Sequence, residues 1–397
     1  MRLRAWLALL ATVLASGCAA PQPDPRIHTI DALAARAMQA TGARGLAIAV
    51  IEGGQVTHVG AYGERNAQGE PLTVDTVMYG ASLTKAVFAA TVMQLVQAGK
   101  LDLDRPIAAL LPKPLPEYGD DPAVVRAYAN YGPLAGDPRW QRITPRMALS
   151  HGTGFANFFF LEDDRQARIH FDPGSRYAYS GEGLMLVQLG LERGLGMSLR
   201  ELTDANFQRL GLAHTSLIWR DDFAANLADG WTQDGTPRPH DRRSRVRAAG
   251  SMDTTIADFA RFAAAFMRGD LLSPAARAEM LRPQLHITSS QQFPTLWPQL
   301  QLPPDRQRAD LAAGLGVIVF NGPQGPGFYK GGHDDATGNT WVCVERGQRC
   351  VVILSNDVRA EAAFPAIVKF VLGETGVPWR WEYGDKKFWE AGVAPGQ

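Results

Sequence analysis

Residues 77–100 read VMYGASLTKAVFAATVMQLVQAGK, and the reading of this stretch decides the fold. From Val77 to Gln97 the only charged side chain is Lys85, in a segment that otherwise reads as a buried helix, opened after a turn at Gly80 and closed at Gly99. A buried ammonium is costly unless it is paired or put to use. Ser82 stands three residues earlier on the same helical face, so the Lys85 amine falls within reach of its hydroxyl. Apolar surroundings and the positive end of the helix both disfavour the ammonium, drawing the lysine pKa down from about 10.4. A neutral amine can accept the serine proton and leave a nucleophile. The alternative is a lysine reaching to the surface beside a capping serine.

Outward from this helix, signals separate by position. On the N-terminal side, Ile30 to Thr41 reads as an amphipathic helix, and LAIAVIEGG with QVTHVGAYG as a β-hairpin across Gly53-Gly54. From Ser82 to about Arg282, helices alternate with long Pro/Gly-rich loops such as KPLPEYGDDP. Strands return in AAGLGVIVF, NTWVCVERG and QRCVVILSN, followed by a helix from about Ala360 to Leu372. Two β-rich ends around an α-rich middle predict an α+β fold. An antiparallel sheet is built from both chain ends (about 27–80 and 310–397) and flanked by helices, with a mainly helical lobe (about 81–309) inserted. Ser82 then lies at the seam, where a site is expected. The aromatic tail PWRWEYGDKKFW is read as packing against the body.

The 397 residues are 46% hydrophobic, enough for an ample core. Basic and acidic residues number 40 each, which excludes a nucleic-acid partner recruited by charge. MRLRAWLALLATVLASGC has a basic start, an apolar run too short to span a bilayer, and small residues up to Cys18. Leu14 to Cys18 resembles a bacterial lipobox, in which 1–17 is a signal peptide, Cys18 is acylated and 18–26 is a tether; an ordinary cleaved signal is the other reading. Lipidation would place the body of the protein (27–397) on the periplasmic side of a bacterial envelope, anchored to the outer membrane. Cys343 and Cys350 flank a hairpin turn at Arg346-Gly347 that sets them opposite each other; a cross-strand disulfide and two free thiols both remain open. No metal-ligand spacing occurs.

S-x-x-K is weak alone, but Ser82-Leu83-Thr84-Lys85 is the only occurrence here, and the motif belongs to penicillin-binding proteins and β-lactamases. GLAIAVIEGG, YGASLTKAVFAATVMQLVQAGKLDLDRPI, ITPRMALSHGTGF, FDPGSRYAYSGEGLMLVQ, LGLAHTSL, AAGSMDTTIADFARF and LLSPAARAEMLRPQ run in the order of the serine β-lactamase and penicillin-binding superfamily. The chain resembles class C β-lactamases and family VIII carboxylesterases over nearly its whole length. The resemblance implies an acyl-enzyme on Ser82, with Lys85 and Tyr179 as proton relay and no metal or cofactor. Tyr179-Ser180-Gly181 matches the family's Tyr-x-Asn; the nearby Tyr177 is read as packing. Gly181 departs from the Asn that contacts a substrate amide, which weakens the case for penicillins and peptides and leaves esters untouched.

The family's third motif, Lys-Thr-Gly or His-x-Gly on a strand, is placed on His333-Asp334-Asp335, with Lys330-Gly331-Gly332 as the other register. In the preferred register Asp335 replaces Gly, His333 contacts substrate, and the oxyanion sits between the backbone N–H groups of Ser82 and Ala336. No G-x-S-x-G occurs, Ser150-His151 is read as a structural turn, and Glu162-Asp163-Asp164 as a solvated loop. The expectation is a carboxylesterase acting on a small-molecule ester. The alternatives are a β-lactamase or D-amino-acid peptidase, and a non-catalytic peptidoglycan-binding envelope lipoprotein.

Overall fold

The computed structural model describes residues 29–391; Cys18, the leader and the tether lie outside them. Helix α1 (Ile30–Thr41) is opened by Thr29, whose hydroxyl accepts from Ala32 N–H at 3.1 Å, and closed by Gly42 at φ 71°. Strands β1 (Gly45–Glu52) and β2 (Gln55–Gly63) follow, and Gly53 and Gly54 both take positive φ, as a two-residue hairpin turn requires. β3 (Met78–Ala81) leads into α2 (Leu83–Gln97). The middle of the chain is helices and turns with three short strands, β4 (Gly230–Trp231), β5 (Pro237–Arg238) and β6 (Met252–Thr254), the last paired with β3. β7 (Leu285–His286), β8 (Leu311–Ala313), β9 (Ile318–Gly322), β10 (Gly325–His333), β11 (Gly338–Val344) and β12 (Arg349–Ser355) complete the set.

Eight of these strands form one antiparallel sheet in the order β2-β1-β12-β11-β10-β9-β8-β7. The first hairpin pairs with the last strand, Ala47 opposite Leu354, so both chain ends meet in one sheet. Both faces are covered, which is why the central strands are almost continuously apolar. Leu46, Ile48, Val342, Val351 and Ile353 face α1, the helix Phe364–Leu372 and Trp381. Their alternates Ala47, Ala49, Trp341, Val352 and Leu354 face the core built from α2 and the helix Ile256–Arg268. Trp341 is fully buried there, with the rings of Phe259, Phe262, Phe266 and Phe328 centred 5.0–5.8 Å away. Cys343 faces Cys350 in the β11–β12 register, and the two are joined as a disulfide. β7 reaches this sheet from a stretch read as helical, and two residues are too few to leave a period-two signal in the sequence.

Candidate active site

β3 ends at Ala81, whose φ of 46° is left-handed and unusual for a residue with a Cβ. That turn delivers Ser82 to the N-terminus of α2 with its hydroxyl making no capping bond. The hydroxyl is instead 2.9 Å from Lys85 Nζ, which also donates to the Ala249 carbonyl at 2.5 Å. Lys85 is 1% exposed and has no carboxylate partner among the described residues. Burial pushes its pKa down, the neighbouring Lys330 adds to that, and the phenol of Tyr179 opposes it.

Tyr179 stands between two lysines. Lys85 Nζ lies 4.9 Å from the centre of its ring and Lys330 Nζ 5.0 Å, the latter donating to the phenol oxygen at 3.3 Å and to the Gly331 carbonyl at 2.6 Å. The ring stacks on His151 at 4.3 Å. His151 is buried and kept neutral, its pKa well below the usual range because of desolvation and the two lysine charges; Nδ1 takes the Ser180 N–H at 3.1 Å. His151 thus positions the phenol rather than forming a dyad, and Ser150 Oγ donates to the Arg146 carbonyl. Tyr177 is buried against Trp381, ring centres 5.6 Å apart.

These groups open into a cleft of about 320 Å³ whose walls include Tyr79, Asn157, Phe158, Phe293, Arg247 and Glu382. The third motif differs from the preferred register. Lys330, not His333, points at Tyr179, while the His333 ring is at the rim with Nδ1 3.4 Å from Glu361 Oε1 and its pKa lowered to about 4 by burial. Ala336 does not reach the serine. Its N–H is donated to Asp334 Oδ1 at 2.9 Å and its carbonyl accepts from Trp231 N–H at 3.1 Å, because the chain turns away after β10 through Asp334–Thr337. Beyond Tyr329, β10 loses its β9 partner and keeps only β11, which leaves the edge from Lys330 to His333 open toward the cleft. A Cβ on Gly332 would meet Leu83 N at 2.8 Å and Ser82 N at 3.0 Å, so this edge lies directly against the serine amide.

A Cβ on Gly181 would meet the Phe158 ring at 2.7 Å, so an aromatic ring occupies the space a side chain there would need. Glu162 corrects the solvated-loop reading: it is buried and accepts from His170 Nε2 at 2.7 Å, while Asp163 and Asp164 are exposed. Glu382, from the tail read as packing only, is a further cleft residue that the sequence did not reveal, since nothing around it repeats or matches a motif.

Comparison with known proteins agrees with this architecture. Residues 30–371 match the family model described as Beta-lactamase. The chain is 30% identical over 260 residues to Esterase EstB of Burkholderia gladioli, covering 57% of this chain and 65% of that protein. It is 27% identical over 298 residues to Putative beta-lactamase-like 1 of Homo sapiens, covering 67% of this chain and 57% of that protein. The matched segments thus span less than two thirds of either relative. A solved class C beta-lactamase superposes with a TM-score of 0.66 at 17% identity, over 86% of this chain and 94% of the other, a likeness of fold. The sheet drawn from both chain ends and the match over nearly all the described residues lead to one conclusion: this chain belongs to the Beta-lactamase family.

Proposed function

We propose that the protein is a serine hydrolase that cleaves carboxylic esters through an acyl-enzyme on Ser82. The observation that carries this reading is the 2.9 Å approach of a buried lysine amine, without a carboxylate partner, to a serine hydroxyl that caps nothing. Ser82 Oγ attacks the ester carbonyl carbon while its proton passes to the Lys85–Tyr179 pair. The oxyanion is held by the Ser82 N–H and the open edge of β10. In the Lys330 register, the three-residue step that led from His333 to Ala336 leads to the backbone of His333. The tetrahedral species collapses by breaking the bond to the alcohol oxygen, which takes the proton from Tyr179. Water then attacks the acyl carbon, gives its proton to the same pair, and releases the acid as Ser82 recovers its hydrogen.

Esters are favoured over amides because position 181 carries no side chain to hold a substrate amide and Phe158 fills its place. A relative named as an esterase supports the same choice. The second reading, a β-lactamase or D-peptidase, draws on Lys330, a cation in the cleft beside Tyr179. Hydrolysis of a nitrophenyl ester and of a chromogenic cephalosporin by the purified protein and its Ser82→Ala variant separates them. We expect ester turnover that falls by about 10³-fold or more in Ser82→Ala. Cephalosporin cleavage at comparable kcat/KM would reverse the ranking, and ester turnover that survives the substitution would overturn the mechanism.

A further inference from the structure

The cleft contains a carboxylate that the proposed reaction does not use. Glu382 comes from the short helix Trp379–Tyr383 near the end of the described chain and is 8% exposed. Its Oε2 accepts from the Tyr329 hydroxyl at 3.2 Å, and its Oε1 lies over Gly331, where a Cβ would stand 2.0 Å from it. A side chain at position 331 would displace this carboxylate, and β10 and the tail fit together so that it sits beside the strand carrying Lys330. Tyr177 packs on Trp381, the residue before Glu382, and Gln292 Nε2 donates to the Glu382 carbonyl at 3.1 Å, so the position is held from three sides.

An unopposed lysine on this wall would attract the carboxylate of an anionic substrate. The other charged groups lining the cleft are Arg247 and Asp334, one of each sign. From this juxtaposition we infer that Glu382 is a specificity-determining residue: by neutralising Lys330 it tunes the cleft for uncharged esters and against substrates bearing a carboxylate. The inference rests on the serine-hydrolase reading and deepens it. Burial raises the Glu382 pKa and lowers that of Lys330, while the charge of each opposes the other's shift.

The test uses two matched substrate pairs: nitrophenyl hexanoate against the nitrophenyl monoester of adipic acid, and phenyl acetate against 4-carboxyphenyl acetate. They place the added carboxylate at the acyl or the alcohol end. We expect the wild type to favour the neutral member in kcat/KM. Glu382→Gln, which keeps an acceptor for Tyr329, should shift the ratio toward the carboxylate by on the order of tenfold in at least one pair. Tyr329→Phe, which removes the hydrogen bond and keeps the charge, should leave the ratio unchanged. An unchanged ratio in Glu382→Gln, or an equal shift in Tyr329→Phe, overturns the inference. So does a wild type that prefers the carboxylate member of either pair, a result that needs no variant to fold. Absence of Ser82-dependent turnover on all four substrates would instead sink the hydrolase reading, and the inference with it.

Discussion

At Tyr179 two lysines share one phenol, and their protonation fixes the pH dependence of the chemistry. Lys85 must be neutral to take the serine proton, and its pKa is lowered by burial. Lys330 donates to the Tyr179 oxygen as a cation, and burial lowers its pKa to about 8. A lysine is cationic below its pKa, so the positive charge on the Lys330 donor is lost as pH rises through about 8. We expect kcat/KM for a neutral ester to rise as Lys85 deprotonates and to fall above that pH. Lys330→Met should remove the upper limb and lower the plateau by roughly 10- to 100-fold. An upper limb that persists in Lys330→Met would assign it to another group. Ser82 and Lys85 were legible because three residues on a helix fix their proximity. The choice between Lys330 and His333 was not, since both registers are consistent with the string and only the course of β10 separates them.

The elements show why that strand was hard to read. β10 is GPGFYKGGH, four glycines and a proline in nine residues, a composition that argues against a strand. Its glycines are there for close approach: Gly332 to the serine amide and Gly331 to Glu382. α1 and the first hairpin, by contrast, carry their own caps and turn glycines and were read to within a residue. The helix Gly181–Leu189 contains another buried acid, Glu182, pushed up to about 7 by desolvation, with Oε1 lacking a hydrogen-bond partner among the described residues. The folded state keeps this proton between the ordinary value of 4.5 and about 7, where the unfolded chain has lost it, so stability falls as pH rises through that window. Glu182→Gln should therefore stabilise at pH 8 by up to about 3 kcal/mol and change little at pH 4, read by urea denaturation at both pH values. Equal effects at the two pH values would contradict the buried-acid reading. The Cys343–Cys350 bond, with sequence separation 7, closes a short loop. Replacing both cysteines by alanine should cost about 2 kcal/mol by the same measurement, and a cost near zero would mean that the hairpin is held by packing alone.

Across the whole molecule, the sheet from the chain ends and the helices from the middle are tied by one aromatic cluster around Trp341, which pairs across β10 and β11 with Lys330 of the cleft wall. Trp341→Ala should cost about 3–5 kcal/mol in the unfolding free energy, and a loss below about 1 kcal/mol would show that the cluster is not a common core. Long-range closure of the sheet was legible from the two apolar ends of the chain. The placement of the tail was not, because Glu382 enters the cleft through packing of Trp381 rather than through any local pattern. The most direct test of the proposed chemistry is peptide mapping by mass spectrometry after exposure of the purified protein to a fluorophosphonate. We expect a single adduct on the peptide that contains Ser82, absent from Ser82→Ala; an adduct on another residue, or none, would contradict the assignment of Ser82 as the nucleophile.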